Sequence, residues 1–561
     1  MTILVEAYAY QPTDLDGLID SLDRTPAPGG RVKLNYVGYL AEAGQKKSVI
    51  ILPKVFLNAS RTLLGGYSPE QLLTLHEPES AVYKTLKTEG KLDFLFRFSV
   101  WLYRAIRQFR QRHPESDLPE RAALLDVSDA GDTALSELEL VMALVRFHRD
   151  NNSLLTYIKR FNTAQRHTVS WSRTVSRQQP ILQNGRPVYT EPVVKQKHVQ
   201  YDEELLVLYL STLDHLQQQY GFRLELNPLY ERLSARAFAQ FQKRATRRLK
   251  EIRSRYFSDK LVRVWTLLYQ YYDRQERLRS GKPFRELLLV RDFNIVFEDM
   301  IDYLLSDPKE KLPTKLKDQP DGKRVDHIYA YRDLIRPDVD QIYHIGDSKY
   351  YKAENEVGDA SVFKQFTYAR NVIQHNIDLL NRGLVLDPLR YRDDLTEGYN
   401  PTPNFFISAL VEDLDFSRDG LVFRKDYDHN RHFENRLFDR DTLLLQAYNI
   451  NFLYVLNAYV AGNKAGREGF RKTARSQFRE RMVGYLNEHY DFFTLTPKSS
   501  TLEAFVSRHF RQLIGRLYRP SGEAFQHTVL LAVSKKASLH WNTQERPALE
   551  QDVRIEDWFL Q

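Results

Sequence analysis

Leu334-Ile-Arg-Pro-Asp-Val-Asp-Gln-Ile-Tyr-His-Ile-Gly-Asp-Ser-Lys-Tyr-Tyr-Lys352 carries an apolar-flanked Pro337-Asp338, then Asp347 nine residues later, then Lys349 two positions beyond that. The Ile and Tyr content favours a strand. Successive side chains of a strand point to opposite faces, so Asp347 and Lys349 share one face while Ser348 points away. If Asp338 lies on the neighbouring strand of a hairpin, two carboxylates converge beside an ammonium. Hard oxygen donors of this kind suit Mg²⁺, with Mn²⁺ able to substitute. An ion so held can orient a phosphodiester, stabilise charge on its oxygens and acidify an attacking water.

The acid-x-Lys form alone is common: Glu89-Gly90-Lys91, Asp307-Pro308-Lys309 and Asp321-Gly322-Lys323 share it, but their Gly or Pro assigns them to turns. The Asp347 copy has both an apolar strand before it and an upstream Pro-Asp. A third carboxylate is expected from the helix at 291–305, where Phe293, Phe297, Met300, Ile301 and Leu304 recur at helical spacing. Glu298 borders that stripe, and Asp299 and Asp302 are its rivals.

The constellation resembles the PD-(D/E)xK nuclease superfamily, with Glu298, Asp338, Asp347 and Lys349 on the matching motif positions. Trp171-Ser-Arg-Thr174, Pro187-Val-Tyr189, the helix with Glu298, the central run and Asn451-Phe-Leu-Tyr-Val455 together resemble the McrC-related, LlaJI-type restriction endonucleases over roughly residues 160–460. Val37-Gly38-Tyr39 through Ile51-Leu-Pro-Lys54 is similar to the N-terminal β region of McrC-like subunits. Gln365-Phe-Thr-Tyr368 is similar to the Gln-x-x-x-Tyr signature of some related nucleases but departs from it by one missing residue, and the resemblance makes Gln365 a DNA-binding candidate. The resemblance implies a Mg²⁺-dependent DNA endonuclease subunit of a restriction or phage-defence complex, driven by a separate McrB-like AAA+ GTPase or ATPase. It also implies a metal contact from the Ser348 backbone carbonyl. Two alternatives stay open: a non-catalytic DNA-binding adaptor of such a complex, and a nuclease acting on RNA or single strands.

The chain of 561 residues has room for several cores. It holds no cysteine, which excludes disulfides, thiol nucleophiles and cysteine-based zinc sites. The fifteen histidines include no His-Glu-x-x-His pattern, and His344 reads as a packing residue. No apolar run approaches the roughly 18 residues of a membrane helix, and the N-terminus has no basic start of a signal peptide, so a cytoplasmic location is expected. No Gly-x-x-x-x-Gly-Lys-Ser/Thr loop is present to cradle a nucleotide.

Formal charge is +8, and its distribution says more than its size. Between 151 and 200, Lys159, Arg160, Arg166, Arg173, Arg177, Arg186, Lys195 and Lys197 face a single Glu191. A second cluster, Lys243, Arg244, Arg247, Arg248, Lys250, Arg253 and Arg255, encloses only Glu251. Arg173, Arg177, Arg247 and Arg248 are therefore candidates for phosphate contact, although a solvated helical face explains the second cluster equally well.

Taken in order, the pattern predicts a mixed α/β protein: an N-terminal β-rich region (1–65) for partner docking, a helical region (66–165), and a basic strand and loop segment with helices (166–282). A PD-(D/E)xK restriction-endonuclease-like core follows (283–412), and then a mainly helical C-terminal region with a terminal strand (413–561). Within the last, 436–460 reads as helix, Asp491-Phe-Phe-Thr-Leu-Thr-Pro497 as a turn, and His527-Thr-Val-Leu-Leu-Ala-Val533 as a strand. The polar insertion from Ser306 to Lys323 is expected to overhang the site.

Overall fold

The computed structural model describes residues 2–16, 18–19, 22–42, 49–76, 79–114, 137–151, 157–162, 168–199, 203–279, 285–308, 312, 316–317, 325–338, 341–351, 357–382, 389–427 and 435–561. Arg166, and the polar insertion apart from Ser306–Pro308, Leu312, Leu316 and Lys317, lie outside them, as do the side chains of Lys159, Arg160 and Lys197.

The first sheet uses β1 (Thr2–Val5), β2 (Tyr36–Glu42) and β3 (Val49–Leu52). β1 runs parallel to β3, and β3 forms the expected hairpin with β2, Gly38 opposite Ile51. Under it packs helix α1 (Lys91–Arg112), with Leu92, Phe94, Phe98 and Ile106 buried. Then come α2 (Glu137–Asp150), β4 (Tyr157–Asn162), α3 (Trp171–Arg177), the small hairpin β5 (Ile181–Gln183) and β6 (Arg186–Val188), and β7 (Val194–Val199), which pairs with β4. Three helices follow, α4 (Glu204–Tyr220), α5 (Ala235–Ile252) and α6 (Asp259–Arg279).

Strand β8 (Arg285–Arg291) returns to the first sheet and pairs antiparallel along β2, from Arg285 opposite Glu42 to Arg291 opposite Tyr36. Gly38 permits this: its φ is 137°, and a Cβ there would stand 2.1 Å from the Leu288 carbonyl oxygen. Helix α7 (Asn294–Leu305) starts directly afterwards and buries Phe297, Met300, Ile301 and Leu304 of the expected stripe, together with Val296, while Phe293 is buried just before it.

The second large sheet positions the chemistry. It contains β9 (His327–Arg332), β10 (Gln341–Lys349), β11 (Thr402–Leu410), β12 (Val422–Tyr427) and β13 (Leu443–Asn451) in the order β9-β10-β11-β13-β12. β10, β11 and β13 are parallel, and the edge strands β9 and β12 are antiparallel to their neighbours. Helix α8 (Asp359–Asn381) covers one face, where Tyr368, Ala369, Val372 and Ile373 pack with Tyr343 and Ile345. On the other face, Tyr329, Phe405 and Tyr448 join the core that contains Phe297 and Phe478. Helices on both faces of a largely parallel sheet give a mixed α/β, restriction-endonuclease-like arrangement. β13 corrects the helical reading of its stretch: Leu443 to Ala447 are all buried, as in a central strand covered on both faces, and the helix α9 (Phe452–Val460) begins only after it.

Beyond the long helix α10 (Lys464–His489) lies another sheet. Its strand β14 (Tyr490–Pro497) occupies the stretch read as a Phe-rich turn. It is paired on both sides, with β15 (Val529–Ser534) and β16 (Val553–Trp558), so it buries Phe492 to Leu495 on both faces and shows no clean alternation. Between β14 and β15 runs a helix, Leu502–Leu513.

Candidate active site

The chain turns between β9 and β10 because buried Asp333 accepts hydrogen bonds from the Ile335 and Arg336 amides and, at 2.8 Å, from the Asn400 side chain. Asp338 is an exposed residue of that turn. Asp347 lies six residues beyond the first residue of β10, Gln341, at the opposite end of the strand, and six residues of strand span roughly 20 Å. The structure therefore does not bring Asp338 to Asp347. His327 pairs with Gly346, so the residue brought opposite Asp347 is Asp326, just before β9, and the two carboxyls are hydrogen-bonded to each other.

Lys349, two residues along the same face, is ion-paired with Asp347, and its ammonium stands 5.2 Å from the centre of the Phe406 ring. Both side chains are almost wholly buried. Glu298, on α7, acts on the pair through its charge. Burial first, then the negative charges of Glu298 and Asp347, push the Asp326 carboxyl well above the usual carboxylate range. Lys364 on α8 acts in the opposite direction on the same carboxyl. The rivals of Glu298 are engaged elsewhere. Asp299 is held by Arg112, His113 at 2.7 Å and the Tyr459 hydroxyl at 2.6 Å, at the junction of α1, α7 and α9. Asp302 is ion-paired with Lys317.

Behind the cluster, on the other face of β10, Ser348 Oγ lies 2.5 Å from His327 Nε2. Nδ1 of the same ring is 3.6 Å from Asp302 Oδ1. Burial holds the imidazole below its ordinary value, hence neutral, although Asp302 works against this. Aspartate, histidine and serine here have the residue types of a hydrolase triad, but His327 is fully enclosed and Ser348 almost so, leaving no approach for a substrate. The arrangement instead fixes the peptide between Asp347 and Lys349 from behind. Gly346 serves the same packing: a Cβ there would stand 2.0 Å from the Phe405 ring.

The strand's far end is anchored too. The Tyr350 hydroxyl donates to Glu6 Oε2 at 2.5 Å, the Lys54 amide donates to the same oxygen at 3.1 Å, and the Lys54 ammonium lies 4.6 Å from the Tyr350 ring centre. Glu6 follows β1, so the N-terminal sheet grips the residue next to Lys349.

A family model described as LlaJI restriction endonuclease matches residues 93–399, more than half of the chain. The chain belongs to the LlaJI restriction endonuclease family. The matched span of this LlaJI-family chain contains Glu298, Asp326, Asp347, Lys349 and Lys364. No curated protein and no solved structure matches it. No helix among the described residues is long and apolar enough to cross a membrane.

The DNA-binding candidates of the LlaJI-family chain fall into different settings. Gln365 is buried, and its amide donates to Asn404 Oδ1 at 3.2 Å, which ties α8 to β11 and leaves no surface for DNA. Arg248 is paired with Glu204 at 2.6 Å and Glu251 at 3.0 Å, and Arg247 with Glu251 at 3.2 Å, so this part of the second cluster is balanced locally. Arg177 is exposed and Arg173 partly so on α3, beside exposed Trp171 and the exposed Ile181 and Leu182 of the β5–β6 hairpin. His344 packs as expected, its ring stacked on Tyr329 at 5.2 Å and its imidazole pushed down to about 3 by burial.

Asp326 and Lys364 escaped the sequence reading. Asp326 had a signal in its position one residue before an alternating strand, Val325-Asp-His-Ile-Tyr-Ala-Tyr331, whose hairpin register can be counted against β10.

Proposed function

We propose that this LlaJI-family chain is the PD-(D/E)xK-type, Mg²⁺-dependent DNA endonuclease subunit of a restriction or phage-defence complex, with Asp326 in the role that the Pro-Asp motif assigned to Asp338. The observation that carries the reading is the hydrogen-bonded Asp326–Asp347 pair with Lys349 on the same strand face. Among the described residues no three acidic or histidine groups form a ready-made cage. A pair of carboxylates with a third acid in electrostatic range nevertheless suits Mg²⁺, which commonly takes one or two carboxylates and fills its octahedron with water and substrate phosphate.

Asp326 and Asp347 would hold the ion, with Glu298 and the Ser348 carbonyl completing its surroundings. When bound, it would acidify the attacking water and stabilise charge on the phosphodiester oxygens. Proton release from Asp326 accompanies binding, because burial and the charges of Glu298 and Asp347 favour its protonated form when no cation is bound. Lys349 orients the nucleophilic water and neutralises the phosphate from a buried position, where an ammonium acts more strongly than in solvent. The adaptor alternative gives no reason to crowd acids around one point, which costs energy without a cation.

Energy for movement on DNA comes in this reading from a separate McrB-like AAA+ GTPase or ATPase, and the complex works in the cytoplasm. The deciding experiment incubates supercoiled plasmid and labelled RNA with the protein, Mg²⁺ and the AAA+ protein of the neighbouring open reading frame with its nucleotide. Nicking or linearisation of plasmid, abolished by Lys349→Ala, supports the proposal. Cleavage of RNA alone favours the second alternative, and no cleavage of either favours the adaptor.

A further inference from the structure

We propose that Lys364 is a further catalytic residue, contacting the scissile phosphate from the open side of the cluster while Lys349 works from the buried side. The inference rests on the nuclease reading above.

Asp326 and Asp347 pair at the end of β10, and the charge of Glu298 bears on Asp326 as well. A phosphodiester entering that region meets net negative charge. Lys349 offsets part of it, but its ammonium is already ion-paired with Asp347 and only 9% of its side chain is exposed. The cation that an incoming phosphate can reach must stand at the rim, and Lys364 does. Its residue is exposed, on the part of α8 that lies over the same sheet face as Asp347 and Lys349.

Its placement is fixed by its neighbours. Gln365, the next residue, is buried and bonded to Asn404, which pairs with Ile345 of β10, so the helix cannot rotate Lys364 away from the strand end. Tyr368, one helical turn on, is buried, and its ring centre is 5.2 Å from the Lys364 ammonium. Both acids of the pair, Asp326 and Asp347, act electrostatically on the ammonium, so it lies within their range. A lysine that served only as a solvated surface charge would have no need of a buried aromatic support within range of two acids.

The test uses the full-length protein with its AAA+ partner, comparing wild type, Lys364→Ala and Lys364→Arg. Single-turnover plasmid cleavage should fall roughly 10- to 100-fold in Lys364→Ala, the range for loss of one charge-stabilising group near the reacting phosphate. Duplex oligonucleotide binding in EDTA, without any metal, should show the slope of log affinity against log salt reduced by about one. Thermal unfolding should be unchanged, and Lys364→Arg should restore the binding slope and part of the rate. Wild-type rate and slope in Lys364→Ala overturn the proposal. A reduced slope with undiminished cleavage also overturns it, since the contact would then lie away from the scissile phosphate. Failure of wild type to cleave any DNA overturns the nuclease reading itself, a result distinct from both.

Discussion

Asp326 and Asp347 are hydrogen-bonded to each other where β9 and β10 come together, so the acid that partners Asp347 precedes its hairpin rather than sitting in the turn. Asp326→Asn should therefore lower plasmid cleavage by more than about a hundredfold, comparable to removing a charge-stabilising group from an active site. Asp338→Asn, at an exposed turn position, should cleave as wild type does. The reverse ranking in a plasmid assay would restore the Pro-Asp motif.

Ser348 supports the site through its side chain. Ser348→Ala removes the partner 2.5 Å from His327 Nε2 and leaves a fully buried imidazole nitrogen unpaired. Urea unfolding should report a loss of about 1–3 kcal/mol. Cleavage should fall by less than about tenfold, because no group touching the phosphate is lost, whereas Lys349→Ala should cost a hundredfold or more. Unchanged stability would count against the His327 contact.

Asp302 offers a pH test. Burial disfavours its charge, but Lys317 and His327 more than compensate and hold its carboxyl well below the usual carboxylate range. A depressed folded-state value means that the unfolded chain takes up the proton first as pH falls. The stabilisation is thus full above the ordinary Asp value of about 3.9 and fades as pH drops below it. Asp302→Asn strands the buried Lys317 ammonium, and near neutral pH should cost roughly 3–5 kcal/mol. Denaturant titrations from pH 7 to pH 3 should show the gap to wild type narrowing toward the acid end. A constant gap would refute the ion pair as its source.

The two basic clusters should behave differently on DNA. Neutralising Arg173 and Arg177 together should weaken binding to all sequences alike and flatten the salt dependence by about one unit per lost phosphate contact. Arg247→Ala with Arg248→Ala should leave that slope near wild type, since both guanidinium groups are already matched by Glu204 and Glu251. Oligonucleotide titrations at several salt concentrations separate the cases, and equal slopes for the two double variants would erase the distinction.

Local alternation explains what was legible. Asp347, Ser348 and Lys349 lie on a strand whose Ile and Tyr residues announce it, and Phe293 to Leu304 form a helical stripe that needs no partner to be recognised. Asp326 depends instead on hairpin register, a relation between residues 21 apart with a turn of uncounted length between them. The short spacing of Pro337-Asp338 to Asp347 imitated a motif that the Asp333 turn rules out geometrically. β13 and β14 are hard to read for other reasons: Leu443-Leu-Leu445 is an apolar run with neither helical nor strand period, and Asp491 and Pro497 give β14 the punctuation of a turn.

The pairing of β8 with β2 bears on how the protein is made. Until Arg285–Arg291 has been synthesised, β2 at Tyr36–Glu42 presents an unpaired edge, and roughly 240 residues, or about 10 to 50 seconds of translation, separate the two. The Tyr350 hydroxyl, which closes on Glu6, arrives later still. The nascent N-terminal sheet must therefore wait, edge open, for the segment that leads directly into α7 and the acids. A chain interrupted before residue 285 would carry an open strand edge at β2 and would lack α7, β9 and β10 together, so the segment that closes the first sheet also gates the arrival of the acidic cluster.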